Sequence, residues 1–208
     1  MVDSLITLHY STVEDYWSST TVLHTLGFGC LSSLVKEPCL CVHMQSDKLS
    51  IAERHSLPVD LCSRDEEKRR HSAALVGAEF DKKARAGGSA WPEYQKSLNS
   101  AIFQLTDSTT LYEQLGGLLL IEELTPLSSE DNATKVTNFA NYLRRPITSS
   151  DSAVLTMATR CLGLLARSEG GHAAVKPELE RALQRLQMGN QLESAVLVLC
   201  QLAKHAPT

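Results

Sequence analysis

LYEQLGGLLLIEELTPL at residues 111–127, NATKVTNFANYLRR at 132–145 and SAVLTMATRCLGLLAR at 152–167 are three apolar-rich stretches separated by short polar breaks. Each carries small or apolar residues at offsets 0, 3, 4 and 7: Gly117, Leu120, Ile121, Leu124; then Val136, Phe139, Ala140, Leu143; then Ala158, Cys161, Leu162, Leu165. That spacing places four side chains on one face of a 3.6-residue helix. Working outward, the same template fits Leu98, Ala101, Ile102, Leu105 upstream. Downstream it fits Leu179, Ala182, Leu183, Leu186 and Ala195, Val198, Leu199, Leu202. A weaker match, Ala73, Val76, Gly77, Phe80, lies in the charged run 65–85.

The strong matches begin at 98, 117, 136, 158, 179 and 195, so alternate starts are 38, 41, 43 and 37 residues apart. Helix pairs repeating at roughly 40 residues mark HEAT or armadillo solenoids, against about 34 for tetratricopeptide repeats. One such pair cannot bury its own apolar stripe, so neighbours must stack. The expected fold is all-α, a HEAT-type α-solenoid of antiparallel helix pairs over 65–208, preceded by an irregular segment over 1–64. The first 64 residues have no sustained period, and Pro38 and Pro58 interrupt them.

Helix ends are signalled by caps and breakers. Pro92 suits a first turn, where its missing N–H costs nothing, and the helix it opens is expected to reach about Thr106. Asp107 or Ser108 caps the next, which Pro126 closes. Residues 128–132, Ser-Ser-Glu-Asp-Asn, offer caps for a helix over 133–145, and residues 149–151, Ser-Ser-Asp, for one ending near Arg167. Pro177 is expected in the first turn of a helix over 177–187, with a last helix from Leu192 to about His205. Gly116 and Gly117 lie inside a helix, at about 1 kcal/mol each relative to alanine. Close approach of a neighbouring helix is the expected compensation, and Ala158 and Ala195 are also small at the aligned positions. Asn132-Ala133-Thr134 is formally a glycosylation sequon and is read as a cap.

Composition narrows the function. A chain of 208 residues, 43% hydrophobic and 21% charged, is globular in character. A net charge of −4 and 5% aromatic residues give no footprint for nucleic acid and little surface for stacking bases. Six cysteines without paired spacing suggest a reducing compartment. The N-terminus lacks the early basic residues of a secretory signal. The apolar run 22–35 is shorter than the roughly 20 residues that span a bilayer. Cys39, Cys41, His43, His55 and Cys62 depart from zinc-ligand spacing, since one residue, not two to four, separates the first pair. Lys68, Arg69 and Arg70 follow Asp65, Glu66 and Glu67 and read as a solvated helix face.

Phosphate loops, nucleophile elbows, metal-binding His-Glu-x-x-His helices and protein-kinase signatures are all missing from the sequence. The candidate site is therefore a surface. Asn138, Asn141, Tyr142 and Arg145 form the ladder opposite the apolar face of their helix. With Arg144 they make a candidate polar, aromatic and basic patch for a protein partner, though solvated outer faces commonly look the same.

Residues 94–108 (YQKSLNSAIFQLTDS), GGLLLIEELTPL, the run from Asn132 to Ala166 and 192–208 (LESAVLVLCQLAKHAPT) together resemble the N-terminal HEAT region of target-of-rapamycin kinases. The resemblance covers about 65–208. It is most specific at Asn132-Ala133, at Phe139-Ala140-Asn141-Tyr142-Leu143-Arg144 and at Ala195-Val196-Leu197-Val198-Leu199, and residues 1–64 do not share it. The resemblance implies a serine/threonine kinase of nutrient and growth signalling, whose helical arm is scaffold and whose partners are Raptor-like or Rictor-like subunits. It implies catalysis in a domain lying beyond this chain, so ATP and a divalent metal would belong there, and no catalytic, cofactor or metal residue is assigned here. A cytoplasmic location, also at endomembrane surfaces through the parent complex, follows from the same likeness. The other reading is an independent HEAT adaptor of a transport or phosphatase assembly.

Overall fold

The computed structural model describes residues 51–128 and 131–204, and all of its regular elements are helical. A short helix α1 (Ile51–Arg54) and a 3-10 turn (Val59–Cys62) lead into α2 (Glu66–Ala86), α3 (Trp91–Asp107) and α4 (Leu111–Leu124). Then come α5 (Asn132–Tyr142), a second 3-10 turn (Pro146–Thr148), α6 (Ser152–Arg167), α7 (Gly171–Met188) and α8 (Leu192–Ala203). Side-by-side packing of α2, α4, α6 and α8 makes one layer; α1, α3, α5 and α7 make the other. Helices α3 with α4, α5 with α6 and α7 with α8 each form one repeat, so the expected stack of helix pairs is present. Among the described residues no helix is long and apolar enough to cross a membrane.

Local chemistry sets most of the boundaries. Asp65 caps α2 by accepting from Glu67 N at 2.9 Å, Asp131 caps α5 through Thr134 N at 3.1 Å, and Asp151 caps α6 through Ala153 N and Val154 N. Each carboxylate satisfies N–H groups that a helix start leaves open. Between α3 and α4 no side chain caps the helix; the Ser108 hydroxyl accepts from Thr110 N at 3.0 Å and shapes the turn instead.

One apolar core runs through the unit from Leu61 to Val198. All four template residues of α2, α3, α4, α5 and α6 are buried. Gly116 and Gly117 sit where backbones meet: an added Cβ at Gly116 would lie 2.5 Å from Leu61 O, and one at Gly117 would lie 2.8 Å from Leu105 Cβ. Charged clasps join successive repeats. Glu122 of α4 pairs with Arg160 of α6 and lies 3.8 Å from Arg70 of α2.

Four expectations need correction. The packed unit begins before residue 64: the 3-10 turn buries Leu61 completely against α4, and Ile51, Leu57 and Cys62 also pack on the core. Residues 1–50 lie outside the described residues, with Cys39, Cys41 and His43 among them. Helix α7 starts at Gly171, so Pro177 lies inside it and not in its first turn. Arg69 is not on a solvated face; it is buried, donating to Ser63 O at 2.7 Å and Arg64 O at 3.0 Å beneath the Tyr112 ring. Leu179, Leu183 and Leu186 are not core: α7 buries Gly171, Val175, Glu178 and Ala182 and turns its leucines outward.

Candidate functional site

The described residues hold no group of three or more His, Cys, Asp or Glu placed to bind a metal ion. The Cys62 thiol, half-buried and facing Glu113, is pushed up to about 11, and complete burial pushes Cys161 up as well. A thiol held this far above neutrality is a poor nucleophile, because the thiolate is the reactive form. What the fold offers is surface.

The five residues of the expected patch diverge. Arg145 reaches back to α3, donating through Nη1 to Asp107 Oδ1 at 2.8 Å and to Asp107 O. Arg144 reaches forward to α7, where its Nε lies 3.2 Å from Oε1 of buried Glu178, a carboxylate that Arg181 also contacts. Both arginines thus tie α5 and its following turn to neighbouring repeats. Asn141 is exposed between them. Asn138 and Tyr142 belong together on the side facing α3.

There they line a groove of about 400 Å³ between α3 and α5. Its α3 wall carries Pro92, Gln95, Lys96, Asn99 and Ser100; its α5 wall carries Asp131, Thr134, Lys135, Asn138 and Tyr142. The Tyr142 ring lies 5.3 Å from that of Phe103, which is 49% exposed. The sequence reading passed over this wall, yet a signal was there. Lys96 and Lys135, Asn99 and Asn138, and Phe103 and Tyr142 are each 39 residues apart, so one motif of lysine, asparagine and aromatic recurs on successive repeats. The two lysines have separate fates. Lys96 is exposed, whereas Lys135 is buried and donates from Nζ to Leu124 O at 3.0 Å and to Leu127 O. Desolvation lowers the Lys135 pKa to about 8. Its ammonium closes the C-terminal carbonyls of α4, which a helix leaves without intrahelical donors.

A second surface lies on the last repeat. Leu179, Leu183, Leu186 and Met188 of α7, with Leu192 and Val196 of α8, are 36–63% exposed. Single exposed apolar residues are ordinary, but a group of six on two neighbouring helices is the kind of patch that marks an interaction site.

No family model matches the chain. The protein is 34% identical over 126 residues to the serine/threonine-protein kinase tor1 of Schizosaccharomyces pombe, a match covering 58% of this chain and 5% of the relative. It is 33% identical over 156 residues to the serine/threonine-protein kinase TOR of Arabidopsis thaliana, covering 72% of this chain and 6% of that protein. Against TOR2 of Saccharomyces cerevisiae it is 39% identical over 74 residues, 35% of this chain and 3% of the relative. The chain therefore spans a small part of the length of the kinases it matches. Their similarity, the helical stack and the lack of strands among the described residues agree on one placement: this chain carries a region related to the TOR serine/threonine protein kinases.

Proposed function

We propose that this chain is a helical scaffold segment of a TOR-type kinase in nutrient and growth signalling, acting by binding other proteins and not by phosphoryl transfer. Phosphoryl transfer needs groups that hold nucleotide phosphates, a carboxylate for the metal and a residue that positions the nucleophile. The kinase sequence motifs that supply them are missing here. In the parent protein ATP, the metal and catalysis belong to another domain. Raptor-like or Rictor-like subunits are the partners, and the cytoplasm or an endomembrane surface is the location.

The observation that carries this reading is the apolar face of α7 and α8. Stacked repeats bury such a face against the next element, so the chain is built to be covered on that side by further helical structure. Sedimentation velocity tests it. The purified chain should self-associate with rising concentration, and Leu183→Glu combined with Met188→Glu should leave a folded monomer. A wild-type chain that stays monomeric at about 0.5 mM, where even weak self-association registers, or that transfers phosphate from ATP to a protein substrate, would overturn the reading.

A further inference from the structure

We propose that the groove between α3 and α5 takes an extended acidic segment of a partner protein, with its backbone held by side-chain amides. The inference rests on the reading of the chain as a protein-binding scaffold, but it uses a surface separate from the α7–α8 face.

The amides come first. Gln95 and Asn99 stand four residues apart on α3, and Asn138 is the repeat equivalent of Asn99 on α5. Each carboxamide presents two N–H donors and an acceptor oxygen, the complement of a peptide's C=O and N–H. None of the three has a side-chain hydrogen bond to another described residue. Residues four apart on a helix are separated by about 6 Å along its axis. Residues two apart in an extended chain are separated by about 6.6 Å. An extended segment lying along the groove therefore meets successive amides with successive same-side peptide groups.

Charge and shape then define the occupant. Lys83, Arg70, Arg85, Arg144, Arg145, Arg160 and Arg181 all have a carboxylate partner. Among the described residues Lys96 has none, as Lys68, Lys82, Arg167 and Lys176 also have none, and of these Lys96 is the one that lines the groove. The other charges here are engaged: the Asp131 carboxylate caps α5, and the Lys135 ammonium is bound to the end of α4. A carboxylate on the partner answers the free ammonium. Seven residues further along α3, Phe103 lies half-exposed beside Tyr142 and offers a flat apolar surface. Seven residues of helix rise about 10.5 Å, the span of about three extended residues. The preferred segment is thus an acidic residue, two spacers and an aromatic or large apolar residue. An amphipathic helix fits less well, because such helices dock through an apolar stripe into an apolar groove, and these walls are mainly amide, hydroxyl and charged.

The test is a titration of the isotope-labelled full chain with a synthetic capped peptide, Gly-Asp-Ser-Ser-Phe-Gly, followed by nuclear magnetic resonance of side-chain amides. The Asn99 and Asn138 signals should shift saturably, with a Kd of about 1 mM or below. Asn138→Ala should weaken binding about fivefold, the effect of losing one hydrogen bond. Lys96→Glu should weaken it by about fivefold or more through charge reversal. Asn141→Ala, on the same helix but outside the groove, should change nothing. Absence of a saturable shift up to about 5 mM peptide overturns the proposal. So does equal binding of a peptide with the same residues in scrambled order, or unaltered affinity in an Asn138→Ala protein of unchanged thermal stability. The Leu183→Glu, Met188→Glu protein should still bind the peptide. If the peptide fails while wild-type chain self-associates through α7–α8, the groove proposal falls and the scaffold reading stands.

Discussion

Helices α6 and α7 carry the same offset pattern and use it in opposite ways. In α6 the template residues Ala158, Cys161, Leu162 and Leu165 are all fully buried. In α7 only Ala182 is, while Leu179, Leu183 and Leu186 are 36%, 46% and 41% exposed. The difference is not in the helices but in their neighbours. Helix α6 has packed helices on both sides within its layer, α4 and α8, whereas the leucine side of α7 has no described helix against it. Periodicity shows that a stripe exists, and only the stack decides what covers it.

The largest effect expected from that comparison is in α6. Leu162→Ala removes a fully enclosed side chain and should cost about 2–5 kcal/mol, since transfer and cavity effects add. Urea denaturation reads it as a lower midpoint at unchanged slope. A loss below about 1 kcal/mol would mean that the site collapses around the deletion and that the middle of the stack is packed no better than its end.

Next comes overpacking between α3 and α4. Gly117→Leu places a Cβ against Leu105 Cβ at 2.8 Å and Thr106 N at 3.0 Å, atoms that move only if the helices separate. The loss should be about 1–3 kcal/mol or more. Thermal unfolding unchanged from wild type would show that α3 and α4 separate without cost.

These sites also mark what was legible in advance. The six strong templates located the helices because each is long and apolar at helical spacing, although α4 buries every residue from Leu115 to Ile121 and so is enclosed on all sides, and the doubled glycine announced a close approach that the structure supplies. Three features escaped for physical reasons. The 3-10 turn around Leu61 is a single turn, too short to show any period, and its burial depends on the gap left by Gly116. The start of α7 was masked by Pro177, which is tolerated in mid-helix although it has no N–H to donate to the preceding turn. Lys135 and Glu178 sit one residue before their templates, and sequence alone does not distinguish a buried charge from a solvated one there. Of the expected patch, Asn138 and Tyr142 share a groove, while both arginines serve joints between repeats, because a long side chain at a helix end can reach either neighbour.

A smaller effect follows from the burial of Lys135 and is read by pH. Burial lowers the Lys135 pKa to about 8, below the unfolded value of about 10.4. Between those values the unfolded chain holds a proton that the folded chain has released, so this site's contribution to stability rises with pH. Relative to a Lys135→Met protein, the wild type should gain on the order of 1 kcal/mol between pH 7 and 9. Parallel urea midpoints for wild type and Lys135→Met across that range would place the ammonium in contact with water.

The smallest expected change in stability returns to α7. Leu183→Ala deletes the same atoms as Leu162→Ala, but from a side chain 46% exposed. Little apolar surface leaves water when that part of α7 folds, and no cavity forms on truncation, so the change should stay within about 0.5 kcal/mol. Solubility and association should respond instead, because an exposed leucine contributes free energy when something covers it, at about 25 cal/mol per Å² buried. Unfolding measured at low protein concentration should thus barely distinguish Leu183→Ala from wild type. At high concentration, where association adds stability by mass action, wild type should become the more stable of the two. If Leu183→Ala instead costs as much as Leu162→Ala at every concentration, the leucine face of α7 is already covered within the monomer.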